Sequence, residues 1–326
     1  MPKTSTDPTR HALNGPTMGT RWSALFHAAP GFDPAPVRDA LQQAVAQVDA
    51  QMSTWNPDSD LMRVNAAPVG VWLPVPEPLW SVLQLGLRIG AASGGAFDIG
   101  MGAAVAAWGF GAEPPDPARV RAAMAPGRRP AQEALELDTA TRRLRKTAPI
   151  TLDLNGIAKG FGADRLAEVL RRFGIADGLV GIDGEMRALG LRPDGAPWTV
   201  AVEAPDPHRR APLAMLALQD AAVATSGDYR HRVKVGDRHL SHTMDPRIGA
   251  PLPAGPASVT VVAPTCAEAD AWATAMMVLG PDSGAALARQ LGLQVLFLLR
   301  RPDGAIRQVG VGALFGAAAA NRFASV

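Results

Sequence analysis

Asp270 and Thr274 lie four residues apart in ADAWATAMM, a stretch with the composition of a helix. On a helix that spacing puts both side chains on one face. Two hard oxygen donors so placed suit Mg²⁺, which takes octahedral oxygen coordination and usually keeps waters or phosphates in its shell. The same pair is common on solvated helix faces, so alone it assigns no metal. Lys159 is the second feature. It sits in NGIAKGFG and is one of four lysines among 32 lysines and arginines. A lysine among glycines, in a chain that otherwise uses arginine, points to a site that fits an ammonium but not a planar guanidinium. The plain alternative is a solvated lysine on a turn. His242 has the ordinary pKa of a general base near neutrality, although a lone histidine is more often structural. Asp228 and Asp245 read as turn residues, and Trp55 as either a core ring or a stacking surface for a heterocycle.

These residues need elements to hold them. Thr151–Gly190 organises the chain. It opens as a short apolar strand with Asp153 between Leu152 and Leu154, then turns through Asn155 and Gly156 past Lys159. Such a strand–loop–helix junction can face backbone N–H groups toward an anion. Leu166, Val169, Leu170 and Phe173 form one helical face, and Gly174 marks its end. Leu179–Ile182 reads as a strand, Asp183-Gly184 as a turn, and Glu185–Leu189 leads away from it.

Upstream, the spacing predicts helices over Pro34–Met52, Leu79–Ser93 and Ile99–Trp108, and a short one over Ala118–Ala125. Residues 53–60 read as a break made of turn formers. Arg21–His27 reads as a strand, and Ala134–Asp138 with Arg142–Thr147 as a hairpin. Downstream, strands are expected over Thr199–Glu203, Leu213–Leu218, Ala221–Ala224 and Ser258–Ala263. Arg232–Val235 and Arg238–Ser241 pair over Gly236-Asp237. Thr265 and Glu268 have capping-box spacing and open a helix through Leu279. Leu293–Leu299 and Ala305–Val309 complete the set. Interleaved helices and hairpins indicate an α+β fold, mixed β-sheets covered by helices, rather than a βαβ series. Residues 1–15 are expected to be a flexible segment, and residues 16–326 one catalytic domain.

The 326 residues are 47% hydrophobic and 19% charged, enough for a large core. A net charge of +2 without like-charge blocks gives no nucleic-acid signature. One cysteine, Cys266, excludes an internal disulfide and a cysteine-based metal site. No apolar stretch is long enough to span a bilayer. The N-terminal residues carry neither an apolar leader core nor a lipid-accepting cysteine, so the cytoplasm is the expected compartment. There is no G-x-G-x-x-G after a strand and no P-loop.

Taken together and in order, seven blocks resemble the signature of the ApbE family of flavin transferases. They are Met18-Gly19-Thr20, Met52–Trp55, Gly95–Asp98, Leu152–Gly160, Ala224–Arg230, Ser241-His242 with Asp245–Arg247, and Ala269–Ala275. The resemblance runs from about Met18 to Gly280. It implies a T-fold-related single catalytic domain that transfers the FMN half of FAD to a Thr or Ser hydroxyl of an acceptor flavoprotein, through a phosphoester bond, releasing AMP. It implies Mg²⁺ held by Asp270, Thr274 and the Gly156 carbonyl. It implies FAD contacts at Met18, Trp55, Ala96, Phe97, Asp98, Asp153, Lys159 and Met244, and a catalytic pair, His242 and Asp228, with His242 as general base. An FAD pyrophosphatase and a flavin-binding maturation protein without turnover are the alternatives. One departure is Asp183-Gly184-Glu185, where the family often has two glycines before the glutamate; another is Trp55, often tyrosine.

Overall fold

The structure, a computed structural model, describes residues 8–206, 209, 211–228, 232–235, 238–253 and 255–316. In chain order the first half contains β1 (Thr9–Thr17), β2 (Thr20–Ala28), α1 (Ala35–Met52), α2 (Asp60–Ala66), β3 (Leu73–Pro74), α3 (Glu77–Ala92), α4 (Gly102–Ala107), α5 (Pro117–Ala123), α6 (Ala131–Ala134), β4 (Leu135–Asp138), β5 (Arg143–Lys146) and α7 (Ala158–Arg172). The second half contains β6 (Gly178–Ile182), β7 (Glu185–Leu189), β8 (Trp198–Glu203), β9 (Pro212–Leu218), β10 (Ala222–Gly227), β11 (Arg232–Val235), β12 (Arg238–Ser241), β13 (Met244–Asp245), β14 (Ala250–Pro251), β15 (Ser258–Ala263), α8 (Cys266–Leu291), β16 (Gln294–Arg300) and β17 (Ile306–Val311).

Eight strands form the main sheet in the order β1-β2-β6-β7-β10-β15-β16-β17. Every pairing in it is antiparallel. Side chains alternate between its faces, as the strand period of two requires. Val259, Val261, Val295 and Phe297 face α8, whose Ala267, Ala271, Ala275 and Met276 meet them. Trp22, Phe26, Val180 and Ile182 face α1 and α7 through Leu41, Val45, Leu166 and Leu170. On the opposite face Val262, Leu296 and Leu298 pack under the β8–β9 hairpin through Trp198, Val202 and Leu216. The α+β class with helix-covered sheets is therefore what the chain adopts.

Two helices bring the chemistry-bearing residues together. A Cβ placed on Gly160 of α7 would sit 2.3 Å from the Cys266 carbonyl oxygen and 2.8 Å from Asp270 Cβ. Only glycine permits this approach of α7 to α8. Asp164 of α7 accepts the N–H groups of Cys266 and Ala267, each at 2.9 Å, at the start of α8. The Thr265 side chain accepts the Glu268 N–H, as the capping-box spacing predicts. The helix is interrupted at Gly280 (φ 72°, ψ 180°), just before Pro281, and resumes to Leu291. The expected end at Leu279 is this break.

Three expectations are corrected. Residues 1–15 were expected to be loose, but Thr9–Thr17 form β1, paired along its whole length with β2. As an edge strand β1 buries only Leu13 and Gly15, so its polarity reflects a solvated face rather than disorder. The break over residues 53–60 hides a helix start: Ser59 caps α2 by accepting the Met62 N–H, and Leu61 and Val64 enter the core. Leu152–Leu154 is not a strand. Its backbone is held by a side-chain amide instead, with Leu152 N–H donating to Asn65 Oδ1 at 2.7 Å and Asn65 Nδ2 donating to Leu152 O at 3.0 Å. Asp153 N–H donates to Ile99 O, and a parallel bridge joins Thr151 to Met101.

Gly160→Ala should destabilise the protein by about 1 to 3 kcal/mol, because overpacking at the α7–α8 contact outweighs alanine's better helix propensity. Urea unfolding should show a lower midpoint at an unchanged slope.

Candidate active site

The residues with chemistry on them gather where the loop 153–160 enters α7 and meets α8. Asp270, buried in α8, accepts the Gly160 N–H on Oδ2 at 3.0 Å, leaving Oδ1 without a donor among the described residues. One turn on, Thr274 Oγ1 lies 3.3 Å from Ser226 Oγ at the end of β10. Gly156 faces the same hydroxyl: a Cβ there would come within 3.0 Å of Thr274 Oγ1 and 3.2 Å of Phe97 Cε2. The corner thus assembles Phe97, Gly156, Gly160, Ser226, Asp270 and Thr274.

Lys159 completes it. Its Nζ is 2.9 Å from Glu185 Oε1 and 3.9 Å from Asp183 Oδ2. Burial alone would lower its pKa, but Glu185 and Asp270 outweigh burial and hold it raised and charged. Asp270 is pushed up to about 7, first by burial and then by Glu185, with Lys159 and the Gly160 N–H opposing. Burial also raises Asp153, whose carboxylate accepts the Asn155 backbone N–H at 2.8 Å and side-chain Nδ2 at 2.9 Å. A cation beside Asp270 would relieve the cost of burying its charge.

The donors are all hard oxygens: one carboxylate, one or two hydroxyls and a glycine carbonyl. Among the described residues no three His, Cys, Asp or Glu side chains converge on a metal position. A site with a single carboxylate leaves shell positions for phosphate and water, which fits Mg²⁺ and not a dedicated protein cage. The residues therefore fit that ion.

The other expected site residues divide. Met18 sits in the two-residue β1–β2 turn (φ 44°), followed by Gly19 (φ 70°). A Cβ added to Gly162 of α7 would lie 3.4 Å from Met18 Cε, so Met18 lies beside the helix that carries Lys159. Trp55 is 62% exposed on the loop after α1, available as a stacking face. Ala96 and Phe97 are buried in the loop before Asp98. Asp98 itself is turned inward: it pairs with Arg128 Nη1 at 2.7 Å and accepts the N–H groups of Gly100 and Ala131. Its carboxylate fixes the loop rather than presenting itself to a ligand. Met244 is buried against Met101 and Ala104.

His242 is half-buried at the exit from β12. The loop after it is tied down by Arg128 Nη2 donating to Pro246 O and Trp108 Nε1 donating to Gly249 O. Asp228, expected beside His242 in catalysis, has both carboxylate oxygens engaged by Arg300, each at 2.7 Å. A cleft of about 640 Å³ opens between Gly94-Gly95, Met124–Arg128 and Pro246–Gly249; neither Lys159 nor Asp270 lines it.

Two residues of the corner were not singled out by sequence. Glu185 was read only as the start of a strand, although a buried lysine requires an anion. Asn65 had no local signal at all, because its partner Leu152 is 87 residues away.

A model of the ApbE family matches residues 18–297. The FAD:protein FMN transferase of Klebsiella pneumoniae is 36% identical over 307 residues, covering 91% of this chain and 86% of that protein. The flavin transferase ApbE from Vibrio cholerae has a TM-score of 0.82 at 33% identity, covering 94% of this chain and 98% of that one. The apo flavinyl transferase ApbE of Pseudomonas stutzeri also reaches 0.82, at 34% identity, covering 95% and 98%.

Between the unfolded carboxyl value of about 3.9 and the value of about 7 in the corner, the folded protein holds a proton on Asp270 that the unfolded chain has lost. The Asp270 contribution to stability is therefore present below this window and lost as pH rises through it. Without divalent cation at pH 8, Asp270→Asn should match or exceed the parent's urea midpoint, by about 1 kcal/mol or more. It should also flatten the decline between pH 4 and 7. A large loss of stability at pH 8 would contradict this.

Proposed function

This chain belongs to the ApbE family, and from that membership we propose that it transfers FMN from FAD to a Thr or Ser hydroxyl of an acceptor flavoprotein. AMP is the leaving group, and Mg²⁺ is held by Asp270, Thr274 and the Gly156 carbonyl. The single observation that supports this most directly is the meeting of Asp270, Thr274, Gly156 and Lys159 in one corner, with Asp270 on the Gly160 N–H.

The chemistry follows from the parts. The acceptor's hydroxyl oxygen attacks the phosphorus on the FMN side of the pyrophosphate. The new P–O bond forms as the bond to the AMP phosphate breaks. His242 takes the hydroxyl proton, a role to which an imidazole is chemically suited. When bound, the magnesium ion would offset negative charge on the phosphate oxygens as the leaving group departs. Lys159 stays charged because Glu185 pairs with it, and it meets the polar atoms or phosphates of the dinucleotide. Met18 and the exposed ring of Trp55 offer apolar faces to the flavin or adenine. Ala96 and Phe97 line the opening, while Asp98 acts by holding their loop through Arg128. Asp153, fastened by Asn155, and Met244 lie on neighbouring loops. Asp228, just past the end of β10 and held by Arg300, is the acidic residue proposed to act with His242.

Among the described residues no helix is long and apolar enough to cross a membrane. An acceptor segment must reach the corner with its hydroxyl foremost. Water in the acceptor's place would give FMN and AMP by the same displacement. The two outcomes separate in one assay: enzyme, FAD and Mg²⁺ with and without an acceptor flavoprotein, read by intact mass of the acceptor and by AMP release.

Asp270→Ala should abolish the mass gain of the acceptor, as should removal of Mg²⁺ by chelation. His242→Ala should lower kcat by about 10²- to 10⁴-fold while changing FAD affinity by less than about threefold. Equal losses of rate and affinity would make His242 a binding residue. AMP release at full rate without acceptor would make the enzyme a pyrophosphatase.

A further inference from the structure

Lys159 has two carboxylate neighbours of different character. Glu185 is buried, at 2.9 Å, and is its fixed partner. Asp183 is 3.9 Å away with 42% of its side chain exposed, so its attraction is loose and replaceable. Asp183 also occupies a left-handed backbone position (φ 55°) in the β6–β7 turn, where glycine would be the unstrained choice. Its N–H donates to Arg21 O at 3.2 Å, which fixes this turn beside the β1–β2 turn carrying Met18. The exposed carboxylate therefore stands beside Lys159, on a turn next to the one that carries Met18.

The charge balance of the corner gives this position a consequence. One lysine faces both Glu185 and Asp183, so without a divalent cation these three groups together are net negative. A pyrophosphate entering the corner meets repulsion, and it must draw Lys159 away from Asp183 to gain a cationic partner. We propose that Asp183 weakens FAD binding by competing with the ligand's phosphates for Lys159, and so makes binding depend more strongly on a divalent cation. The inference rests on the assignment of Lys159 to FAD made above.

The test measures FAD affinity by quenching of flavin fluorescence with protein freed of metal by chelation. Asp183→Asn keeps shape and tolerates the left-handed position; Asp183→Gly removes the strain as well. Both should bind FAD about two- to fivefold more tightly than the parent at low salt, the size expected of one exposed charge. The gain should shrink in about 0.5 M NaCl and with saturating Mg²⁺. Equal or weaker binding in both variants would overturn the inference. Tightening by glycine alone would overturn it too, since backbone relief rather than charge would be the cause. Lys159→Met combined with Glu185→Gln, which removes the Glu185 charge together with its fixed partner, distinguishes the two levels. If the double variant binds FAD more weakly while the Asp183 variants match the parent, only the role of Asp183 fails. If the double variant binds as the parent does, the assignment of Lys159 fails and the competition with it.

Discussion

The backbone N–H of Gly160 reaches the carboxylate of Asp270 because no side chain stands between α7 and α8 at that point. This contact sets the distance between the two helices, and that distance sets everything the corner offers. It places Thr274 opposite Gly156 and lets Lys159 lie within the field of Asp270. It also accounts for the state of Asp270: a carboxylate buried at a helix contact, given one N–H and a nearby ammonium, is under-compensated in the absence of a cation. The same burial that makes the fold compact therefore leaves that carboxylate short of counter-charge.

Polar residues away from the chemistry keep this arrangement in register. Asn65 supplies both a donor and an acceptor to Leu152, doing for one residue what a neighbouring strand would do. Asp164 fixes the start of α8 and is itself paired with Arg187. Asp98 ties its loop to Arg128, which in turn holds the loop after Met244. Each connects elements far apart in sequence.

What the sequence disclosed follows the range of each interaction. Thr274 and Asp270 were legible because a helix face is a local property. Lys159 was legible because glycines on both sides of it are a local oddity. The capping of α8 by Thr265 and the stop at Leu279 were legible for the same reason. Glu185 lies 26 residues from Lys159 and Asn65 lies 87 from Leu152; no local pattern announces such partners. The strand β1 was hidden because an edge strand with one wet face resembles a loop in composition. The strand expected at Leu152–Leu154 was an error of the opposite kind: an apolar run with β character whose backbone found a side chain instead of a sheet. Asp98 and Asp228 were legible as residue types, but their partners Arg128 and Arg300, 30 and 72 residues away, were not.

The interruption of α8 at Gly280 divides that helix into two mechanical halves. Residues 266–279 carry Asp270 and Thr274 and are clamped by α7 and the sheet; residues beyond Pro281 begin a new helical phase. In a continuous helix, adding one residue anywhere would rotate all that follows by about 100°. Here a length change beyond residue 280 is absorbed at the break and leaves the donor pair aimed as before. A single-residue insertion between 270 and 274 would turn the hydroxyl away from the carboxylate. A change in the tail would disturb the packing of Gly284, Ala285 and Ala288 in the core, but not the spacing of Asp270 and Thr274.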